Sequence, residues 1–268
     1  MVTPIPILLY HSVSDHGIGH FAPFTVSRAQ FAAHLDHLAA RGFNTVTIEQ
    51  ILDSISTGKL AQERSAVITV DDGFADFHSN AWPEIQDRGM KATLYMTAGA
   101  LGGRSDWLAP LGAGHIPMLK RRQLLQLATE GCEIGAHSMS HPQLDCLPPQ
   151  QAEYEIRQSK DVLEHVLGQP VNSFAYPHGY HDRRVRQMVV EAGYSSACAV
   201  RNALSHSDDD RFALARVTIK SDFGIDQIDR VLSGQGIPLA RKRERTRTRV
   251  WRQMRRWKFR QQLRRSGS

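Results

Sequence analysis

The sequence predicts an α/β fold in which parallel strands are joined by helical crossovers. Three observations point there. Short apolar runs rich in branched residues alternate with amphipathic helical segments. A chain of 268 residues with 41% hydrophobic content can fill one large core. Clusters of polar residues follow the predicted strands, where parallel α/β folds assemble their sites. Alternation by itself admits a closed barrel or an open doubly wound sheet.

The first strand is expected over residues 5–10. Ser27 and Gln30 have capping-box spacing ahead of Phe31, Leu35 and Leu38, so a helix begins there. Strands at 45–48, 66–70 and 92–96 then alternate with helices at 49–56 and 76–88. Residues 99–117 are rich in Gly and Pro and lack a period, which predicts a long surface loop. A helix at 121–129, a strand at 133–136, a helix at 149–167 and a strand at 173–176 continue the alternation. Asp182 caps a helix running to 192, and a strand follows at 196–200. Residues 211–219 and a helix at 225–233 complete a domain expected to span 1–237.

The remaining residues, 238–268, form a different kind of segment. Thirteen of the 33 Lys/Arg and one of the 27 Asp/Glu fall there, so the tail carries +12 and the rest −6. Val250, Trp251, Met254 and Trp257 share one helical side, whereas Phe259 and Leu263 fall off that stripe. Such a tail is expected either to lie in an anionic membrane interface or to stay solvated and disordered. Its charge also permits nonspecific attraction to nucleic acid, but no specific nucleic acid is expected. Cys132, Cys146 and Cys198 match neither a disulfide framework nor a thiolate zinc site. The first ten residues lack a basic region and carry Pro4 and Pro6. A cytoplasmic protein is expected, peripheral on the inner membrane face if the tail binds lipid.

Three segments carry the chemistry. Asp71-Asp72-Gly73 follows a buried strand. Its bland reading is a turn, yet adjacent carboxylates repel unless a cation lies beside them. His137 and His141 follow the next strand but one, four residues apart, a spacing that brings two imidazoles to one face of a helical turn. Tyr176-Pro177-His178-Gly179 reads as a turn, and a turn can aim a backbone N–H at an oxyanion.

Together these segments resemble the polysaccharide deacetylase family, the NodB homology domain of carbohydrate esterases. The likeness spans residues 5–220 and includes Leu9-Tyr10-His11, Phe74-Ala75-Asp76, Gly131 to His141 and Phe174 to Gly179. The resemblance implies a distorted (β/α)7-type barrel. It implies Asp71 as general base and Asp72, His137 and His141 as ligands of a divalent metal, with zinc first and cobalt, nickel or iron compatible. It implies that Tyr176, Pro177, His178 and Gly179 line the substrate site.

Two departures stand out. Ala175 occupies the place where many members carry an Arg, which leaves the residue orienting Asp71 unidentified. No His follows Arg211, where many members keep their general acid. A subgroup typified by poly-N-acetylglucosamine deacetylases places the acid on the first strand, and His11 fits that position. His206, in Leu204-Ser205-His206, is the runner-up. The expected activity is removal of N-acetyl groups from an N-acetylhexosamine glycan, polymeric or lipid-linked. The alternatives are an inactive glycan-binding or membrane- or nucleic-acid-recruited protein, and an O-acetyl esterase on the same fold.

Overall fold

A computed structural model describes residues 3–58, 64–241, 250–257 and 261. The N-terminal apolar run divides at Pro6 into β1 (Pro4–Ile5) and β2 (Ile7–Tyr10). Short strands β3 (Ser12–Val13) and β4 (Thr25–Val26) form a small ribbon ahead of α1 (Arg28–Ala40). Ser27 caps α1 by accepting from the Gln30 N–H. The Gln30 side chain reaches instead to the Ser221 and Phe223 carbonyls. The reciprocal box lies one helix later, between Thr47 and Gln50, at the start of α2 (Ile48–Ser56), which follows β5 (Asn44–Val46).

Next come β6 (Ser65–Val70), α3 (Trp82–Asp87), β7 (Thr93–Met96), α4 (Arg121–Thr129) and β8 (Glu133–Ala136). The helix expected from residue 76 opens as a π-turn at Phe77–Ala81. Pro83 is the reason: it has no N–H to donate, and its ring crowds the carbonyl four residues back. The order continues with α5 (Pro149–Leu167), β9 (Ser173–Ala175), α6 (Arg183–Glu191), β10 (Ser196–Cys198), β11 (Ser205–His206), β12 (Val217–Thr218) and α7 (Ile225–Ser233).

The main sheet is parallel, in the order β10-β9-β8-β7-β6-β2-β12, with β5 beside the start of β6. It curls into the expected barrel. The segment around β12 hydrogen-bonds to both edges: Leu214 exchanges bonds with Ala197 and Ala199, and the Ile219 N–H reaches the Leu9 carbonyl at 2.8 Å. Side chains alternate across each strand. Ile7, Val67, Tyr95, Ala175, Cys198 and Leu214 pack into one cluster with Ile48 and Ile51 of α2, filling the barrel from below. Leu8, Tyr10, Ile68, Val70, Leu94, Ile134 and Phe174 join the larger core under the helices. Both faces of the sheet are therefore buried, as a parallel sheet requires.

Candidate active site

The same alternation builds the site. Residues 7 and 9, 67 and 69, 133 and 135, and 173 and 175 share the inward parity, so His11, Asp71 and His137 are the next inward residues past their strand ends. Parallel register sets them level. Tyr10 pairs with Val70, Val70 with Leu94, Met96 with Ala136, and Ala136 with Phe174.

Backbone strain concentrates here. Among the described residues, the non-glycine positions with positive φ are Asp72, Ser138, His141, His178 and Asn202. Four of these five lie in the three polar segments, and such conformations persist only where the surroundings enforce them. Gly73 (φ +86°) completes the turn after Asp72; a Cβ there would lie 2.2 Å from the Met96 sulfur. His137 and His141 do not share a helical turn. Left-handed kinks at Ser138 and His141 fold the loop back and bring the rings together, with centroids 4.8 Å apart. Glu155 of α5 fastens that loop, accepting from the Met139 and Ser140 N–H groups and from the Ser140 hydroxyl.

Asp72 Oδ1 is buried without a hydrogen-bond partner among the described residues. It lies 3.2 Å from His141 Nε2 and 3.5 Å from His137 Nε2. His137 Nδ1 lies 2.7 Å from the Ala175 carbonyl, a contact only an N–H can make, so its Nε2 presents a lone pair to Asp72. Burial pushes both imidazoles below their ordinary value, so they rest neutral. Burial and then the Asp71 charge push the Asp72 carboxyl well up. One ligand atom from each of Asp72, His137 and His141 lies within 4.8 Å of the others. Three converging lone pairs are repulsive by themselves and fit a divalent cation, and three protein ligands leave such a cation positions for water and substrate.

Asp71 also nears that point, with Oδ2 at 3.7 Å from His137 Nε2, but both its oxygens are already engaged. Arg216 grips both its oxygens, with Nη1 at 2.6 Å from Oδ1 and Nη2 at 2.7 Å from Oδ2. Burial acts to raise the Asp71 carboxyl, but the Arg216 charge and its hydrogen bonds outweigh it and hold it below its ordinary value. Arg216 is itself fully buried, satisfied further by Thr69 Oγ1 and the Ala199 carbonyl and set over the Tyr95 ring. It takes the orienting place that Ala175 leaves empty in sequence. The signal for it was present: one Arg at an inward position of an otherwise apolar run, Phe212 to Ile219.

His11 is partly exposed, but its Nδ1 is sealed and has no partner among the described residues. The ring packs edge-on to Phe21 and Phe24. Burial lowers it to about 4, against the opposing pull of Asp71. His206 lies at the other end of the barrel. It pairs with Pro4 in β1, and its ring meets the Ala240 carbonyl and the Asp208 N–H.

In the Tyr176 to Gly179 turn, the Gly179 N–H bonds to the Tyr176 carbonyl and the Tyr180 N–H to the Pro177 carbonyl. The His178 N–H stays outside those bonds. The His178 ring meets His141 at 4.6 Å, whereas the Tyr176 side chain is buried and its hydroxyl donates to the Phe212 carbonyl. The loop expected at 99–117 contains two 3-10 turns and delivers Trp107, stacked on His141 at 5.2 Å. Trp107 Nε1 is buried without a partner among the described residues.

Comparison with known proteins agrees with this architecture. The profile of the family described as polysaccharide deacetylase matches residues 58–197. The Bacillus subtilis polysaccharide-deacetylase homologue YxkH is 27% identical over 215 residues, 80% of this chain and 71% of that one. The fold superposes on Streptococcus pyogenes deacetylase PplD, solved with acetate, at TM-score 0.73 and 21% identity, covering 87% of this chain and 99% of that one. IcaB of Ammonifex degensii gives TM-score 0.74 and 20% identity over 85% of this chain and 97% of its own.

Proposed function

This chain belongs to the polysaccharide deacetylase family, and from that premise we propose that it is a metal-dependent hydrolase removing N-acetyl groups from N-acetylhexosamine units of a glycan. The observation that carries the proposal is the pairing of two unlike carboxylates: Asp72 facing two neutral imidazoles with an unpartnered oxygen, Asp71 with both oxygens engaged by Arg216. Asp72, His137 and His141 would hold the cation, and their donor set suits zinc, cobalt, nickel or iron. When bound, the cation supplies a Lewis acid that polarises the acetyl carbonyl and acidifies water.

The chain's own groups do the rest. Asp71 takes a proton from water as the oxygen bonds to the acetyl carbon. The His178 N–H, fixed by its turn before reaction, receives the oxyanion. Burial lowers His11 to about 4, so near neutral pH it rests uncharged, collects the proton Asp71 has taken and passes it to the departing nitrogen. The C–N bond then breaks, giving a free amine and acetic acid, which releases its remaining proton to solvent as acetate. Trp107 and the Tyr176 to Gly179 turn wall the site against the sugar.

The test is release of acetate from N-acetylglucosamine oligomers. Asp71→Asn should keep its metal and lose turnover by about 10²–10⁴-fold, while His137→Ala should lose both. Near-normal turnover by Asp71→Asn would falsify the assignment of the base. An O-acetyl substrate offers a better leaving group, so activity on acetate esters that survives His11→Ala, with none on amides, would mark an esterase.

A further inference from the structure

The basic tail returns to the barrel beside the site, and it does so with the opposite face from the one usually buried. Residues 250–257 are helical. Arg255 pairs with both oxygens of the buried Asp145, at 3.0 and 2.7 Å, and lies 3.7 Å from the centre of the Tyr180 ring. Arg256 bonds to the Asp145 carbonyl and to the Asp182 carboxylate, and Arg252 to the His181 carbonyl. These partners belong to the loops that follow His141 and His178. Ring contacts continue inward, stacked from Tyr180 to His178 at 5.8 Å and edge-on from His178 to His141 at 4.6 Å.

With its arginines turned to the protein, the helix turns its apolar stripe to solvent. Val250, Trp251, Met254 and Trp257 are 56%, 48%, 47% and 60% exposed. Two tryptophans aligned on an outward face are a contiguous apolar patch, which a free surface does not favour. Charge decides what covers it. The clasp uses three of the thirteen basic residues in 238–268, and the other ten flank the patch along the sequence. A second copy would bring the same charges into contact and be repelled. An anionic bilayer attracts them and accepts tryptophan at its interface.

We propose that residues 250–257 form a lipid-facing docking surface. Its aromatic stripe enters an anionic membrane interface while Arg255 and Arg256 hold the site's rim to it. The surface is independent of turnover, so it stands or falls apart from the deacetylase reading.

The experiment uses the full chain and vesicles of phosphatidylglycerol with phosphatidylcholine, compared with phosphatidylcholine alone. The protein should sediment with the anionic vesicles, and brominated lipid should quench its tryptophan fluorescence. Trp251→Ser with Trp257→Ser should weaken sedimentation by at least about tenfold at an unchanged melting temperature, because both rings are exposed. Asp145→Asn should leave vesicle binding in place and free the rim, read as faster hydrogen exchange in residues 142–147. Three results overturn the proposal: no sedimentation with anionic vesicles, equal sedimentation of the double variant, or a dimer in solution that the double variant abolishes.

Discussion

Asp71 stays ionised without water at the end of a buried strand because Arg216 supplies two parallel donors. Lysine offers a single point charge, so Arg216→Lys should cut kcat by about 10–100-fold while metal content, measured by elemental analysis, is unchanged. Arg216→Met leaves a buried carboxylate unpaired. It should cost about 3–5 kcal/mol in urea unfolding. An unchanged midpoint and rate would remove Arg216 from the site. At the acid position, His11→Ala should lower kcat by about 10²-fold or more, whereas His206→Ala, at the opposite barrel end, should keep turnover. The candidate metal ligands Asp72, His137 and His141 were legible because each is announced within a few positions of a strand end. Arg216 was legible only as a lone Arg in an apolar run; its pairing was not, since its partner lies 145 residues away and no local pattern joins them.

Elements impose the next constraint. The spacing of His137 and His141 correctly suggested that the rings meet, but the expected helical turn is replaced by left-handed kinks that only tertiary contacts with Glu155 and with residues 98–99 can enforce. Helix propensity carries no information about that. Gly73 is the simplest place to test the strain. Gly73→Ala must accommodate both φ +86° and a methyl group 2.2 Å from the Met96 sulfur. The variant should lose about 1–3 kcal/mol in thermal or denaturant unfolding and bind metal more weakly by competition with a chelating dye. Wild-type metal affinity in Gly73→Ala would show that the turn is not what aims Asp72. The longer elements were legible: the helices at 121–129, 149–167 and 225–233 lie where periodicity placed them.

For the whole molecule, the buried imidazoles set how stability follows pH. His11 and His178 are lowered to about 4, and His137 and His141 are also lowered, from an ordinary 6.5. Between about 4 and 6.5 the unfolded chain binds protons on these rings that the folded chain refuses, so stability rises with pH. Burial raises Asp76 to about 7 and raises Asp72 as well, with the opposite sign. With His34 also lowered and Glu133 also raised by burial, five rings outnumber three carboxyls in the acid window. Melting of chelator-treated protein should therefore move to higher temperature from pH 4 to pH 6, then level or fall towards neutrality. A flat profile would mean these groups are solvated. Among the described residues no helix is long and apolar enough to cross a membrane. The alternation of strands and helices left closure open, because β12 has only two residues and the joining segment lacks a strand signature.

That closing segment has a further consequence for how the protein comes into being. A ribosome delivers Asp71 early and Arg216 late. Until the last part of the barrel emerges and seals it, the acid lacks its guanidinium and the half-made enzyme cannot have its finished reaction centre. The guanidinium–carboxylate pair and the completed topology therefore arrive in the same moment of biogenesis, and a chain cut short of residue 216 holds neither.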